Sequence, residues 1–185
     1  MAHFQGGSGI DILDAIALGV PGFAYPRRDP NPKVKFVGAL LPYKTAIATD
    51  FSQPEKLDKV KPVILISQGT VEKDPNKLIV PALEALKDTG ALLIVTTGYC
   101  QTEELRKSYS QDNILIEHFV DFDFILDHTD LFICNGGYGS VLLSLSHGVP
   151  LVTAGVREGK NDRGSRLMGN RWIRTTGLRV MSLVI

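Results

Sequence analysis

Three short stretches hold the residues whose types and spacing could do chemistry, and each follows an apolar run. Asn135-Gly136-Gly137 follows Leu131–Cys134 and leads into Gly139, Ser140 and the helically spaced Val141, Leu142 and Leu145. A buried strand, a glycine-rich turn and a helix N-terminus make an anion site. Backbone N–H groups point outward there, the helix dipole favours negative charge, and missing Cβ atoms let a phosphate approach. Ser67-Gln68-Gly69-Thr70 closes a second apolar run with a flexible glycine and a hydroxyl. His118-Phe119-Val120-Asp121-Phe122 closes a third, and the ring of Phe119 offers a flat apolar face to a planar base. Each stretch also has a plainer reading, as a strand-to-helix turn or, for Phe119 and Phe122, as core. His118 and His128 read as surface or capping histidines. No Cys, His or Asp grouping has metal-ligand spacing, and no residue of the chain is assigned a catalytic role.

The opening stretch, Phe132-Ile133-Cys134-Asn135-Gly136-Gly137-Tyr138-Gly139-Ser140 with Gly148-Val149-Pro150 beyond it, resembles the donor-sugar motif of the UDP-glycosyltransferase-like enzymes. That motif runs roughly Phe-x-x-His-Gly-Gly-x-x-Ser, then Gly-Val-Pro, and belongs to glycosyltransferase family 1, the macrolide and flavonoid type. The other two stretches match adjoining segments of the same family, so the resemblance covers about Lys35 to Arg166. It implies an α/β fold, the GT-B-type Rossmann-like doubly wound parallel sheet of the C-terminal donor domain, with a remnant of the N-terminal acceptor domain before it. It implies a UDP-sugar as donor substrate, no separate cofactor and no metal. Gly69 and Thr70 would meet the donor phosphate, Phe119 would stack on the uracil, and the backbone at Val120 would bond its polar edge. Asn135, Gly136, Gly137, Gly139 and Ser140 would cradle the diphosphate.

Departures from the family pattern fall within the same site. Asn135 stands where relatives carry a His; it keeps N–H donors but cannot become charged. Leu143 stands where an acidic ribose-binding residue is expected, and Phe122 where plant relatives carry a Gln. The Asp/Glu-Gln pair that holds the sugar hydroxyls is absent, and its region reads Arg157-Glu158-Gly159-Lys160, which leaves Glu158 or Lys160 as substitutes. The acceptor domain's general base, a His, would lie before residue 1. The resemblance therefore implies inverting, metal-independent transfer to the hydroxyl of a small hydrophobic acceptor, with the chain inactive alone and truncated at both ends.

These residues need elements to position them. Ile10–Leu18 has helical apolar spacing, Pro26–Pro32 is a proline-rich loop, and Val34–Gly38 alternates as a strand. From Pro62 strands and helices alternate: strands at Val63–Ser67, Ala91–Thr96, Ile114–Val120, Leu131–Cys134 and Leu151–Ala154. Asp74 and Pro75 open a helix that Pro81 should kink, and Gln101–Ser108 forms a short charged helix. Gly148 suits the left-handed residue after the helix that follows Ser140. Strands joined by helices through short loops imply a parallel doubly wound sheet, with ligands beyond the carboxyl ends of its strands. We divide the chain into an acceptor-domain remnant at 1–42, a linker at 43–61 and a nucleotide-sugar-binding domain at 62–185. After Arg166 the text leaves the family pattern, although Val180–Ile185 could still form a strand.

Composition sets the outer bounds. Of 185 residues, 44% are hydrophobic, which excludes a disordered chain, and 20 basic against 20 acidic residues argue against a general nucleic-acid binder. No apolar run nears the roughly 18 residues that span a bilayer. Cys100 and Cys134 are too few for a disulfide framework, so a cytoplasmic protein is expected. Two other functions compete: a donor-binding subunit that works only beside a separate acceptor subunit, and a dinucleotide-dependent oxidoreductase domain. The second lacks a Gly-x-Gly-x-x-Gly after its first sheet strand.

Overall fold

Runs of four or five apolar residues between turn residues bury best as parallel strands with helices on both faces, and that is how most of this chain folds. The computed structural model describes residues 15–17, 32–38, 51–57, 61–154 and 180–183. Two units separate, Met1–Leu40 and Leu41–Ile185. In the first, β1 (Ala15–Ala17) pairs in parallel with β2 (Val34–Phe36), Ile16 lying opposite Lys35. The helix expected over Ile10–Leu18 is thus a strand at its described residues. A short apolar run fits either period, and a partner strand decided it.

The second unit opens with Phe51–Leu57, inside the stretch expected as a linker. It carries a 3-10 turn at Pro54–Leu57 and buries Phe51 and Leu57. The sheet then follows: β3 (Val63–Ser67), α1 (Ile79–Leu86), β4 (Leu92–Thr96), α2 (Thr102–Ser108), β5 (Ile114–Glu117), α3 (Phe122–Leu126), β6 (Leu131–Cys134), α4 (Tyr138–Ser146), β7 (Leu151–Ala154) and β8 (Val180–Leu183). The order across the sheet is β5-β4-β3-β6-β7-β8, every neighbour parallel. Strand order reverses between β3 and β6, which makes their carboxyl ends the switch point where such sheets bind ligands.

On one face Ile64, Ile66, Leu93, Val95, Ile114 and Ile116 pack against Ile79, Leu83 and Leu105. The other face carries Leu65, Ile94, Leu115 and Phe132, and Phe122 sets its ring edge-on to Phe132 at 5.8 Å. Each fully buried aliphatic side chain here contributes about 1.5–3 kcal/mol. The uninterrupted apolar run Leu131–Cys134 reads as a strand buried on both faces. Instead Phe132 and Cys134 are buried while Leu131 and Ile133 are only partly covered. β5 stops at Glu117 rather than Val120, because it is an edge strand and the chain turns out toward Asp121, which caps α3.

The helix expected from Pro75 is broken, but not at Pro81. Asp74 caps a 3-10 turn at Pro75–Lys77, Leu78 leaves helical geometry at φ −149°, and α1 starts anew at Ile79. Pro81 then sits in the first turn of α1, where its missing N–H had no intrahelical partner to lose. Among the described residues no helix is long and apolar enough to cross a membrane.

Candidate functional site

Four turns meet at the carboxyl edge of the sheet. After β3, Gln68 is buried with every side-chain polar atom engaged. Its Nε2 donates to Asp74 O (2.7 Å) and Glu72 O (3.4 Å), and its Oε1 accepts from Ile79 N (3.4 Å). The side chain thereby fastens the loop that leads into α1. Glu72 within that loop is held below the ordinary carboxylate range, chiefly by its hydrogen bond from Lys77 at 2.7 Å and then by the Asp74 amide. Gly69 takes φ +78°, a conformation that favours glycine, and Thr70 stands exposed beside it.

The turn after β6 lies next to it. Asn135 Nδ2 donates to Gln68 O, and Asn135 Oδ1 accepts from Gly137 N at 3.2 Å. Gly136 is buried at φ +70°. Gly137 is the N-cap of α4 in extended geometry and supplies no side-chain cap; the first turn of α4 carries no acidic residue. The positive end of this helix is therefore not neutralised by its own side chains. A Cβ at Gly137 would lie 3.8 Å from Ser140 Oγ, which places that hydroxyl at the mouth of the turn.

Phe119, beyond β5, is 58% exposed, so it is no core residue and its face is available for stacking. Val120 beside it is buried, leaving only its backbone for a ligand. Phe122 is half-buried against Phe132, a packing role. His118 is held by a hydroxyl relay. Thr97 Oγ1 donates to Glu117 O (3.3 Å), Thr97 and Thr102 hydroxyls pair at 2.6 Å, and Thr102 Oγ1 meets His118 Nδ1 at 2.9 Å. A carbonyl only accepts, so the relay is satisfied when Nδ1 carries the proton. Glu158 and Lys160 lie outside the described residues.

The sequence reading passed over one contributor, the turn after β4. Gly98 approaches the first turn closely enough that its Cβ would stand 3.4 Å from Gly69 O and 3.7 Å from Thr70 Cα. Tyr99 and Gln101 hold positive φ, +66° and +51°, and the Tyr99 ring is 74% exposed and stacked on His118 at 5.2 Å. Strained non-glycine residues of this kind gather at functional sites. Its signal was present: Gly98 stands just beyond an apolar run, as Gly69 does.

Two cavities among the described residues lie elsewhere. One of about 420 Å³ runs along β5 beside Lys56 and Arg106; the other, about 550 Å³, sits by Lys61, Val63 and Asp127–Asp130 at the amino ends of β3 and β6. Neither includes the glycine turns, where Thr70, Phe119 and Gly139 stand in the open. Among the described residues no three His, Cys, Asp or Glu side chains are grouped to hold a metal ion.

No family model matches the chain. It is 39% identical over 158 residues to 4'-demethylrebeccamycin synthase of Lentzea aerocolonigenes, a match covering 83% of this chain and 36% of that protein. To UDP-glucosyltransferase avaP of Aspergillus versicolor it is 38% identical over 159 residues, covering 82% and 34%. The chain thus spans about a third of the length of these curated relatives. Among solved structures, the glycosyltransferase SnogD from Streptomyces nogalater gives a TM-score of 0.63 at 17% identity, covering 89% of this chain and 42% of that one. Os79 from O. sativa in complex with UDP gives 0.54 at 25% identity, covering 65% and 28%. The sheet order, the glycine turns and these likenesses agree: the chain has the GT-B fold and is similar to UDP-glycosyltransferases over about a third of their length.

Proposed function

We propose that the second unit binds the nucleotide diphosphate of a UDP-sugar for glycosyl transfer. The observation that carries this reading is the uncapped, acid-free N-terminus of α4 at the switch point of the sheet, with exposed Phe119 on the same edge. The diphosphate takes the helix N-terminus and the turns at Gly69–Thr70 and Asn135–Gly137, and the uracil takes Phe119. The relatives' names and the UDP in the Os79 structure support this choice of donor.

The proposed transfer is inverting. The acceptor hydroxyl oxygen attacks the anomeric carbon from the face opposite the leaving group, the bond from that carbon to the diphosphate oxygen breaks, and UDP departs with the electron pair. The hydroxyl proton passes to a base contributed by polypeptide outside this chain, which also binds the small hydrophobic acceptor. This chain's part is electrostatic: N–H groups of the α4 N-terminus stabilise charge growing on the leaving diphosphate. That positive helix end does the work often given to a divalent cation, so the reading needs no metal.

Calorimetric titration tests it. UDP is expected to bind with or without EDTA and more tightly than NAD, while the chain mixed with UDP-glucose and a phenolic acceptor releases no UDP above background. NAD binding as tight as UDP overturns the donor reading; robust turnover overturns the assignment of the base to other polypeptide.

A further inference from the structure

Asn135 is oriented by two partners at once. Its Oδ1 accepts from Gly137 N at 3.2 Å, and its Nδ2 donates to Gln68 O. Rotating the amide by half a turn would set oxygen against the Gln68 carbonyl and N–H against N–H, so the arrangement has one satisfied orientation. Gln68 in turn fixes the loop before α1 through Glu72 O, Asp74 O and Ile79 N. A continuous polar chain therefore runs from the N-cap of α4, through Asn135 and Gln68, to the first residue of α1, across the line where strand order reverses. Gly69 fits against it so closely that a Cβ there would lie 3.2 Å from Asn135 Nδ2.

We propose that Asn135 is a positioning residue: its amide clasps the turn after β3 to the turn before α4 in the ligand-free protein, and the donor's phosphates meet the backbone and hydroxyls that the clasp holds apart. The clasp deepens the donor-site reading and rests on it only for its consequence in affinity. Its two hydrogen bonds exist before any ligand arrives. A neutral amide suits this task because both halves are used on the protein itself. An imidazole at this position would offer one donor and one acceptor at a different reach, and in its charged form it could not accept from Gly137 N at all.

The side-chain amide of Asn135 reports the clasp directly in nuclear magnetic resonance spectra of the wild-type chain. In the absence of nucleotide, one of its two Nδ2 protons is expected to exchange slowly and to stay slow at saturating UDP. In Asn135→Ala the Gly137 amide should exchange faster and the dissociation constant for UDP should rise roughly three- to tenfold, the loss expected for a neutral hydrogen bond. Fast exchange of both Nδ2 protons in the free protein, with one becoming protected only when UDP is added, overturns the clasp and makes Asn135 a ligand donor. A wild-type chain that shows the protected proton but takes up no UDP keeps the clasp and sinks the donor reading, so the two failures are distinguishable.

Discussion

Two glycines share the turn before α4, and each answers a different demand. Gly136 sits at φ +70°, where a Cβ would cost about 1–2 kcal/mol, so the backbone itself requires it. Gly137 has φ −60° and ψ 142°, open to any residue, and a Cβ there would meet Asn135 Oδ1 at 3.4 Å and Ser140 Oγ at 3.8 Å, ordinary contacts. The backbone angles do not require glycine at 137; the close approach of the proposed diphosphate would. Gly137→Ala should therefore fold with little change in stability, since the narrower unfolded ensemble, about 0.4–1 kcal/mol, offsets the loss of a residue favoured at the N-cap. UDP affinity should fall more than tenfold. Melting curves and calorimetry on the same sample check this, and unchanged affinity would reduce the stretch to a connection between strand and helix. The sequence made the glycine cluster legible as a candidate anion site, because a glycine-rich turn between strand and helix is a local pattern. Which glycine serves the backbone and which the ligand needed dihedral angles. The engagement of Asn135 with Gln68 was equally hidden, since 67 residues separate the partners.

At the scale of elements, α4 is finished at one end and open at the other. Its C-terminus closes with Gly148 N bonded to Leu145 O at 3.2 Å and Val149 N to Ser144 O at 3.0 Å, the paired bonds of a Schellman cap. Gly148 and Pro150 announced that stop in the sequence. Behind it, buried His147 places its two ring nitrogens 2.7 Å from Asp127 Oδ1 and 3.2 Å from Asp123 Oδ1, fixing the helix to α3 and its following turn. The tie between α1 and the end of α2 had no sequence signal. Tyr109 Oη donates to Glu84 Oε1 at 2.7 Å across 25 residues. Burial first, and then the Glu84 carboxylate, push the Tyr109 phenol from an ordinary 10.0 up to about 12. The folded state therefore keeps a proton that the unfolded chain loses above about pH 10. This contribution to stability is complete below that value and disappears as pH rises through about 12. Absorbance titration of phenolate should show a late-ionising component in the wild type that Tyr109→Phe lacks, and the stability of that variant should be lower by about 1 kcal/mol at neutral pH. A Tyr109 that ionises at the ordinary 10.0 would show that the α1–α2 tie does not hold in solution.

Across the whole second unit, the fold was the most legible part. Five sheet strands were marked by apolar runs of four to six residues, and their alternation with helices fixed a parallel sheet. What periodicity could not give was the spatial order of the strands, which places the turn after β6 beside the turn after β3 and thereby assembles the site. It also misjudged Ile10–Leu18, where a short run obeys two periods, and it missed the turn after β4, whose importance lies in its approach to Gly69. The proposed function is at root one of place, with a nucleotide diphosphate docked where strand order reverses. The direct measurement is the map of backbone amide shifts as UDP is added to the isotope-labelled chain. The largest changes are expected at Gly69, Thr70, Phe119 and Gly137–Ser140, with Lys61–Val63 and Asp127–Asp130 undisturbed. Changes centred on that second group, or no saturable change at the glycine turns, would contradict it.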